Sequence, residues 1–159
     1  MKRVPLIILG AGKVGRALVR QLIEAAELHA RRDGLEFAVV AWCDSDGAVV
    51  DERGMSAGLL QALAAAKAAG ASLAETEPGY HQNDPAAIVD IAGIEGCVVV
   101  DVTATDATVP ALELALRRGY AVATANKIPL VGPQVTFDAL VGSGRFRYES
   151  TVGSAVPII

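Results

Sequence analysis

The sequence predicts an α/β fold: a doubly wound parallel sheet covered by helices on both faces, in one domain. Three observations carry this. Short, continuous apolar runs recur along the chain, as strands buried on both faces require. Helical patterns separate them, and strands alternating with helices favour parallel pairing through right-handed crossovers. The first apolar run also ends in glycines that lead directly into a helix.

The elements follow in the order β-α-β-α-α-β-α-β-α-β. Residues 4–9 form the first strand. A helix runs from Val14 to about Ala30, with Leu18, Leu22, Ala25 and Ala26 at helical spacing, and Gly34 breaks it. Residues 35–43 form the second strand. Asp44-Ser45-Asp46-Gly47 is turn chemistry. Ser56 caps an alanine-rich helix over residues 57–69, closed by Gly70. Residues 75–82 are polar and read as loop. Asp84 as cap with Pro85 at the first helical position starts the next helix, whose apolar side is Ile88, Val89 and Ile91. Gly93 and Gly96 end it. Residues 97–102 form the third strand, Pro110 opens a helix through Arg118, and residues 120–124 form the fourth strand. Gly132-Pro133 starts a helix through Val141, and residues 145–151 form a fifth strand.

Composition narrows the function. The 159 residues suit one compact domain and leave no room for a TIM barrel or a two-domain dehydrogenase. With 14 basic and 18 acidic side chains the net charge is −4, which argues against a nucleic-acid binder. The 52% hydrophobic content excludes a disordered chain. No apolar stretch approaches the roughly 20 residues of a membrane span. The apolar run after Met1-Lys2-Arg3 is too short for a secretory signal. Cys43 and Cys97 lie in apolar runs and read as small buried hydrophobes, without metal-type or disulfide spacing. A cytoplasmic protein is expected.

Gly10-Ala11-Gly12-Lys13-Val14-Gly15 is a G-x-G-x-x-G loop between a strand and a helix. That placement turns a common pattern into the phosphate loop of a Rossmann-type dinucleotide-binding domain. Gly10 permits a tight turn, Gly12 lets a pyrophosphate approach the backbone, and Gly15 lets helix and strand pack closely. The helix start offers unpaired N–H groups and partial positive charge. Asp44, at the end of the second strand, is placed to bind the adenosine ribose. It lies 29 positions beyond Gly15, more than the usual spacing of about 20, because the intervening helix is long. Asp44 and Asp46 would repel a 2′-phosphate, so NAD is expected over NADP. Lys13, Arg53 and Lys67 are the basic residues near that end, with Lys67 expected in solvent. His29 and His81 are expected in solvent, and Trp42 in the core.

Ligands of doubly wound sheets bind beyond the carboxyl ends of the strands. Three segments leave strands there: Asp101-Val102-Thr103-Ala104-Thr105-Asp106, Thr124-Ala125-Asn126-Lys127-Ile128-Pro129-Leu130, and residues 149–159. The hydroxyls and small residues Thr103, Ala104 and Thr105 suit a loop crossing the nicotinamide ribose. Together the glycine loop, D-V-T-A-T, A-T-A-N-K-x-P-L and Y-E-S-T-V-G-S-A-V-P-I-I resemble, in order, the nucleotide-binding part of homoserine dehydrogenase. The resemblance spans residues 6–159 but about half of such an enzyme. D-S-x-G-A-V-V-D with the alanine-rich helix after it resembles the form common in archaea and some bacteria.

The resemblance implies NAD(P)-dependent interconversion of L-homoserine and L-aspartate 4-semialdehyde, on the route to threonine and methionine. It assigns Lys127 the catalytic place near the substrate hydroxyl and nicotinamide, where an ammonium polarises the aldehyde oxygen. Asn126, beside it at the cofactor, reads as shaping the turn. The resemblance also implies a sodium ion on the Glu149 side chain and the carbonyls of Val152, Ser154 and Val156, a hard-oxygen set. Ser154-Ala155 departs from the more usual glycine-containing pair. A homodimer is implied for the full-length enzyme. The apolar finish, Val156-Pro157-Ile158-Ile159, reads as a cut before the next helix, with a catalytic and dimerisation domain to follow. Two other readings stay open: the first domain of another amino-acid dehydrogenase, and a non-catalytic nucleotide-sensing module.

Overall fold

The computed structural model describes residues 1–151. Its strands are β1 Lys2–Leu9, β2 Leu35–Cys43, β3 Gly47–Val50, β4 Tyr80–His81, β5 Val98–Asp101, β6 Ala121–Thr124 and β7 Phe146–Arg147. Its helices are α1 Lys13–Glu24, α2 Ala26–Asp33, α3 Ala57–Ala68, α4 Pro85–Ala92, α5 Val109–Arg117 and α6 Gln134–Val141. The strands lie in one sheet in the order β4-β3-β2-β1-β5-β6-β7. The five expected strands pair in parallel. The chain leaves β1 toward β2 on one side and later resumes at β5 on the other. The carboxyl ends of β1 and β5 therefore flank the switch point where this architecture binds ligands.

The sheet is mixed rather than wholly parallel. β3 runs antiparallel to β2, with Trp42 opposite Val49, and β4 runs antiparallel to β3. β3 begins at the last residue of the expected turn and runs through residues 48–50, which no expected element covers, and β4 lies in the expected polar loop. β3 is four residues long and β4 two, too short to show a period; the hairpin turn defines them. The Asp44 N–H donates to the Gly47 carbonyl at 2.9 Å, and Asp44 Oδ1 accepts from the Asp46 and Gly47 amides at 2.9 and 2.8 Å.

The long first helix divides at Ala25, whose backbone (φ −95, ψ 4) leaves the helical region. The bend lays α2 against β2, where His29 meets Phe37 edge-on with centroids 5.2 Å apart. His29 is thus half-buried rather than solvated, whereas His81 is exposed. Gly34, left-handed at φ 66, ends α2. Ser56 and Asp84 cap α3 and α4 as expected, accepting from Leu59 N and Ala86 N. The fifth parallel strand is shorter than residues 145–151. The Tyr148 carbonyl accepts from both the amide and the hydroxyl of Thr151, and the chain turns into a 3-10 turn at Glu149–Thr151.

Successive β1 residues face opposite sides, which explains the unbroken apolar run. Ile7 and Leu9 join a core with Ile88, Val89, Leu112 and Leu140 from α4, α5 and α6. Ile8 joins a second core with Val19, Leu60 and Leu63 from α1 and α3. Trp42 lies in that second core, fully buried, with its indole N–H donating to the Gly10 carbonyl at 3.1 Å. Cys43 and Cys97 are buried and unpaired, and burial pushes their thiols up to about 12 and about 11.

Candidate functional site

The glycine loop follows β1 and opens α1. Gly10 sits at φ +109, in the left-handed region. A methyl group there would press on the Val102 carbonyl and Thr103. A Cβ at Gly12 would meet nothing within 4 Å, so this side of the loop is open. A Cβ at Gly15 would collide with the Gly10 carbonyl oxygen, so α1 packs on the loop only through glycine. No side chain caps α1, whose N-cap is Gly12, which leaves its first turn without a side-chain acceptor, as a helix start that receives an anion requires.

A cleft of about 810 Å³ lies over this loop. Gly10, Gly12, Val14, Asp44, Thr103, Ala104 and Thr105 all line it, as do Arg16 and Lys67. A neighbouring cavity of about 480 Å³ shares Val14 and Val102 with the cleft, and Lys13, Thr124, Ala125 and Glu149 border it. Lys13 thus leads toward the carboxyl ends of β6 and β7 rather than the Asp44 end. Arg53 is exposed and lines neither cavity.

Lys67 departs from expectation. Its side chain is 18% exposed, and Nζ donates to Asp44 Oδ2 at 2.6 Å. Asp44 Oδ2 also accepts from the Leu73 amide at 2.8 Å. With the two amides on Oδ1, four donors meet one carboxylate, about its full capacity. Burial alone would raise the Asp44 carboxyl, but Lys67 and the three amides outweigh it and hold it below the ordinary value. The argument for NAD from a bare negative charge therefore loses its basis: Asp44 is neutralised by Lys67 and tied to the β2–β3 turn. No local pattern showed this, because 23 residues separate the partners.

A second buried network lies at the end of β5. Asp101 is fully buried. Its Oδ1 accepts from the Thr103 amide and hydroxyl at 3.0 and 2.7 Å. Its Oδ2 accepts from the Thr108 hydroxyl at 2.8 Å and from Asn126 Nδ2 at 3.1 Å. Asn126 is 1% exposed. Its amide nitrogen also donates to the Thr105 carbonyl at 2.7 Å, and its oxygen accepts from the Ile128 amide at 3.1 Å. Asn126 is thus held within the protein, as a turn-shaping residue should be. Lys127 follows it, exposed, at the start of the 3-10 turn Ile128–Leu130, with Pro129 buried beyond it. Asp101 and Thr108 had no assigned role in the sequence; the one signal was a carboxylate ending the apolar run V-V-V-D.

Of the expected cation ligands, Glu149 is exposed beside Lys13 and Arg147 at the second cavity. Val152, Ser154 and Val156 lie outside the described residues. Among the described residues there is no cluster of three or more His, Cys, Asp or Glu able to hold a metal, and no helix is long and apolar enough to cross a membrane.

Comparison with known proteins agrees with this fold. A homoserine dehydrogenase from Methanocaldococcus jannaschii is 31% identical over 165 residues, covering 97% of this chain and 46% of the relative. A hyperthermophilic archaeal homoserine dehydrogenase, solved in complex with NADPH, superposes with TM-score 0.76 at 25% identity, over 95% of this chain and 45% of that one. The Thermoplasma acidophilum homoserine dehydrogenase shares the fold, with TM-score 0.70 at 23% identity, over 95% of this chain and 44% of that one. The chain thus spans a little under half the length of these relatives. Its residues 10–145 match the profile of the homoserine dehydrogenase NAD-binding domain, and the chain belongs to that family.

Proposed function

We propose that this domain serves an NAD(P)-dependent homoserine dehydrogenase, interconverting L-homoserine and L-aspartate 4-semialdehyde. The observation that carries the reading is the cleft over an uncapped glycine loop, walled by the D-V-T-A-T segment, at the switch point of the sheet. The amides around Gly10, Gly12, Lys13, Val14 and Gly15 would receive the pyrophosphate. The adenosine would extend toward Asp44, Lys67 and Arg16, and the nicotinamide ribose along Thr103, Ala104 and Thr105. The cofactor would supply or accept the hydride. Lys127 would hydrogen-bond the substrate oxygen, stabilise the charge developing there during reduction, and donate the proton that completes the alcohol. Asn126 would act through the turn that carries Lys127. Glu149, with the carbonyls of Val152, Ser154 and Val156, would provide an oxygen-rich sodium site. Substrate-binding groups and a homodimer interface would come from a second half like that of the relatives, in a soluble cytoplasmic enzyme.

Lys127 separates this reading from a nucleotide sensor, which has no need of an ammonium at the nicotinamide end. Joined to that second half, Lys127→Ala should lower kcat by about 100-fold or more and leave cofactor affinity nearly unchanged. Unchanged turnover would remove the catalytic role, and a substrate screen would separate homoserine from other amino acids.

A further inference from the structure

Asp101 presents a physical problem: a carboxylate with no solvent exposure and no cationic partner among its hydrogen bonds. Burying a charge is costly unless every lone pair is engaged, and apolar residues often serve stability as well as buried ions do. Stability is therefore a weak reason for Asp101 to be there. The identity of its four donors supplies a better one. The Thr103 amide and hydroxyl and the Thr108 hydroxyl come from the segment after β5, and Asn126 Nδ2 comes from the segment after β6. The Asp101 carbonyl adds the Ala125 amide at 2.8 Å. The Asn126 amide in turn is held by Thr124 Oγ1 at 2.9 Å. Two loops that β5 and β6 send to the same end of the sheet thus meet at one side chain, and Asn126 Nδ2, held there, also donates across to Thr103 Oγ1 at 3.1 Å and the Thr105 carbonyl at 2.7 Å. One of them, with Thr103 and Thr105, lines the cleft; the other carries Lys127.

We infer that Asp101 is a positioning residue: its buried carboxylate clamps the loops after β5 and β6 together, fixing the nicotinamide half of the cleft and the backbone that presents Lys127. The inference rests on the dinucleotide reading above. The carboxyl offers acceptor oxygens on both sides, and the four donors use both. Asparagine keeps the shape but turns an NH₂ toward one pair of donors. The Thr103 or Thr108 hydroxyl can rotate to accept it, whereas the Thr103 amide or the Asn126 NH₂ cannot. Either the Thr103 amide contact in the cleft or the Asn126 contact to the Lys127 loop is then lost, while Thr108 stays bound. The adenosine half is held by a separate set, Asp44 with Lys67 and the Leu73 amide, and does not feel the change.

The test is a pair of titrations of this 159-residue chain, wild type and Asp101→Asn, one with ADP and one with NADH. ADP reports the glycine loop and the adenosine half; NADH adds the nicotinamide half, with its own fluorescence. Asp101→Asn should weaken NADH about tenfold, shift bound-nicotinamide emission toward that of free NADH, and leave ADP within about twofold. Unchanged NADH binding overturns the inference. An equal loss for both ligands also overturns it, because that is what general loosening of the fold would give. Should Asp101→Asn fail to fold, Thr108→Val removes one donor at nearly constant shape. It should shift the NADH-to-ADP ratio in the same direction by about threefold, and an unmoved ratio overturns the proposal. Wild-type chain that binds neither ligand would instead overturn the dinucleotide reading itself.

Discussion

Two carboxylates follow or end the two strands that flank β1 in the sheet, and they solve the burial of charge differently. Asp44, at the end of β2, is neutralised by Lys67 and held by three backbone amides at the rim of the cleft. Asp101, at the end of β5, has no cation and relies on hydroxyl and amide donors in a solvent-free interior. The first arrangement tolerates water, since its lysine and amides lie near the surface. The second does not, because Asp101, Thr108 and Asn126 are buried and only Thr103 is partly exposed. The lesson is that a strand-end carboxylate in this fold need not touch the ligand: one supports a turn, the other ties loops together.

The largest expected effect separates the two directly. Asp101→Ala leaves buried donors without an acceptor and should cost about 3 kcal/mol of stability or more. Asp44→Ala should cost only about 1–2 kcal/mol, since Lys67 can regain water. Urea unfolding of the two variants measures both, and equal losses would erase the distinction.

Cofactor choice comes next. With Asp44 offset by Lys67 and Asp46 outside the lining of the cleft, the adenosine end loses its main source of repulsion for a 2′-phosphate. NADPH should bind this chain within about tenfold of NADH, as separate fluorescence titrations would show. A strong preference for NADH would mean that Asp44 acts as a bare carboxylate after all.

Acid sharpens the comparison further. The folded Asp44 carboxyl lies below its ordinary value, so the folded state binds its proton less readily than the unfolded chain. Its stabilisation is present above the unfolded value of about 4 and is lost as pH falls through the lower folded value. Lys67→Met removes the principal partner that lowers it and should move this loss to higher pH, read from melting temperature between about pH 3 and 6. The smallest effect is chemical. Cys43 and Cys97, with thiols pushed to about 12 and about 11 by burial, should react with a thiol reagent only as fast as the chain opens. Rapid labelling under native conditions would contradict the packing of the core that holds both cysteines with Ile7 and Leu9.

Much of this arrangement was legible in local patterns. The glycine loop is an example: three glycines do three different jobs, and the structure finds a left-handed turn at Gly10, open space at Gly12 and a forbidden Cβ at Gly15. The parallel strands and the caps of α3 and α4 likewise follow from runs and single residues. The errors share a cause. β3 and β4 are too short to carry a period and exist because a hairpin turn and a sheet edge recruit them. Lys67 resembles any helix lysine until its distance from Asp44 is known. Asp101 resembles a loop residue until Thr108 and Asn126 arrive from elsewhere in the chain.

The sequence by itself determined the class of fold, the place of the phosphate loop and the family, because each depends on residues adjacent in the chain or on short periodicities. Only the tertiary structure decided which charges pair, which polar groups are buried and which loops are held together. Those outcomes depend on which groups lose their water, and burial of a charge is settled by the whole set of donors that folding gathers around it.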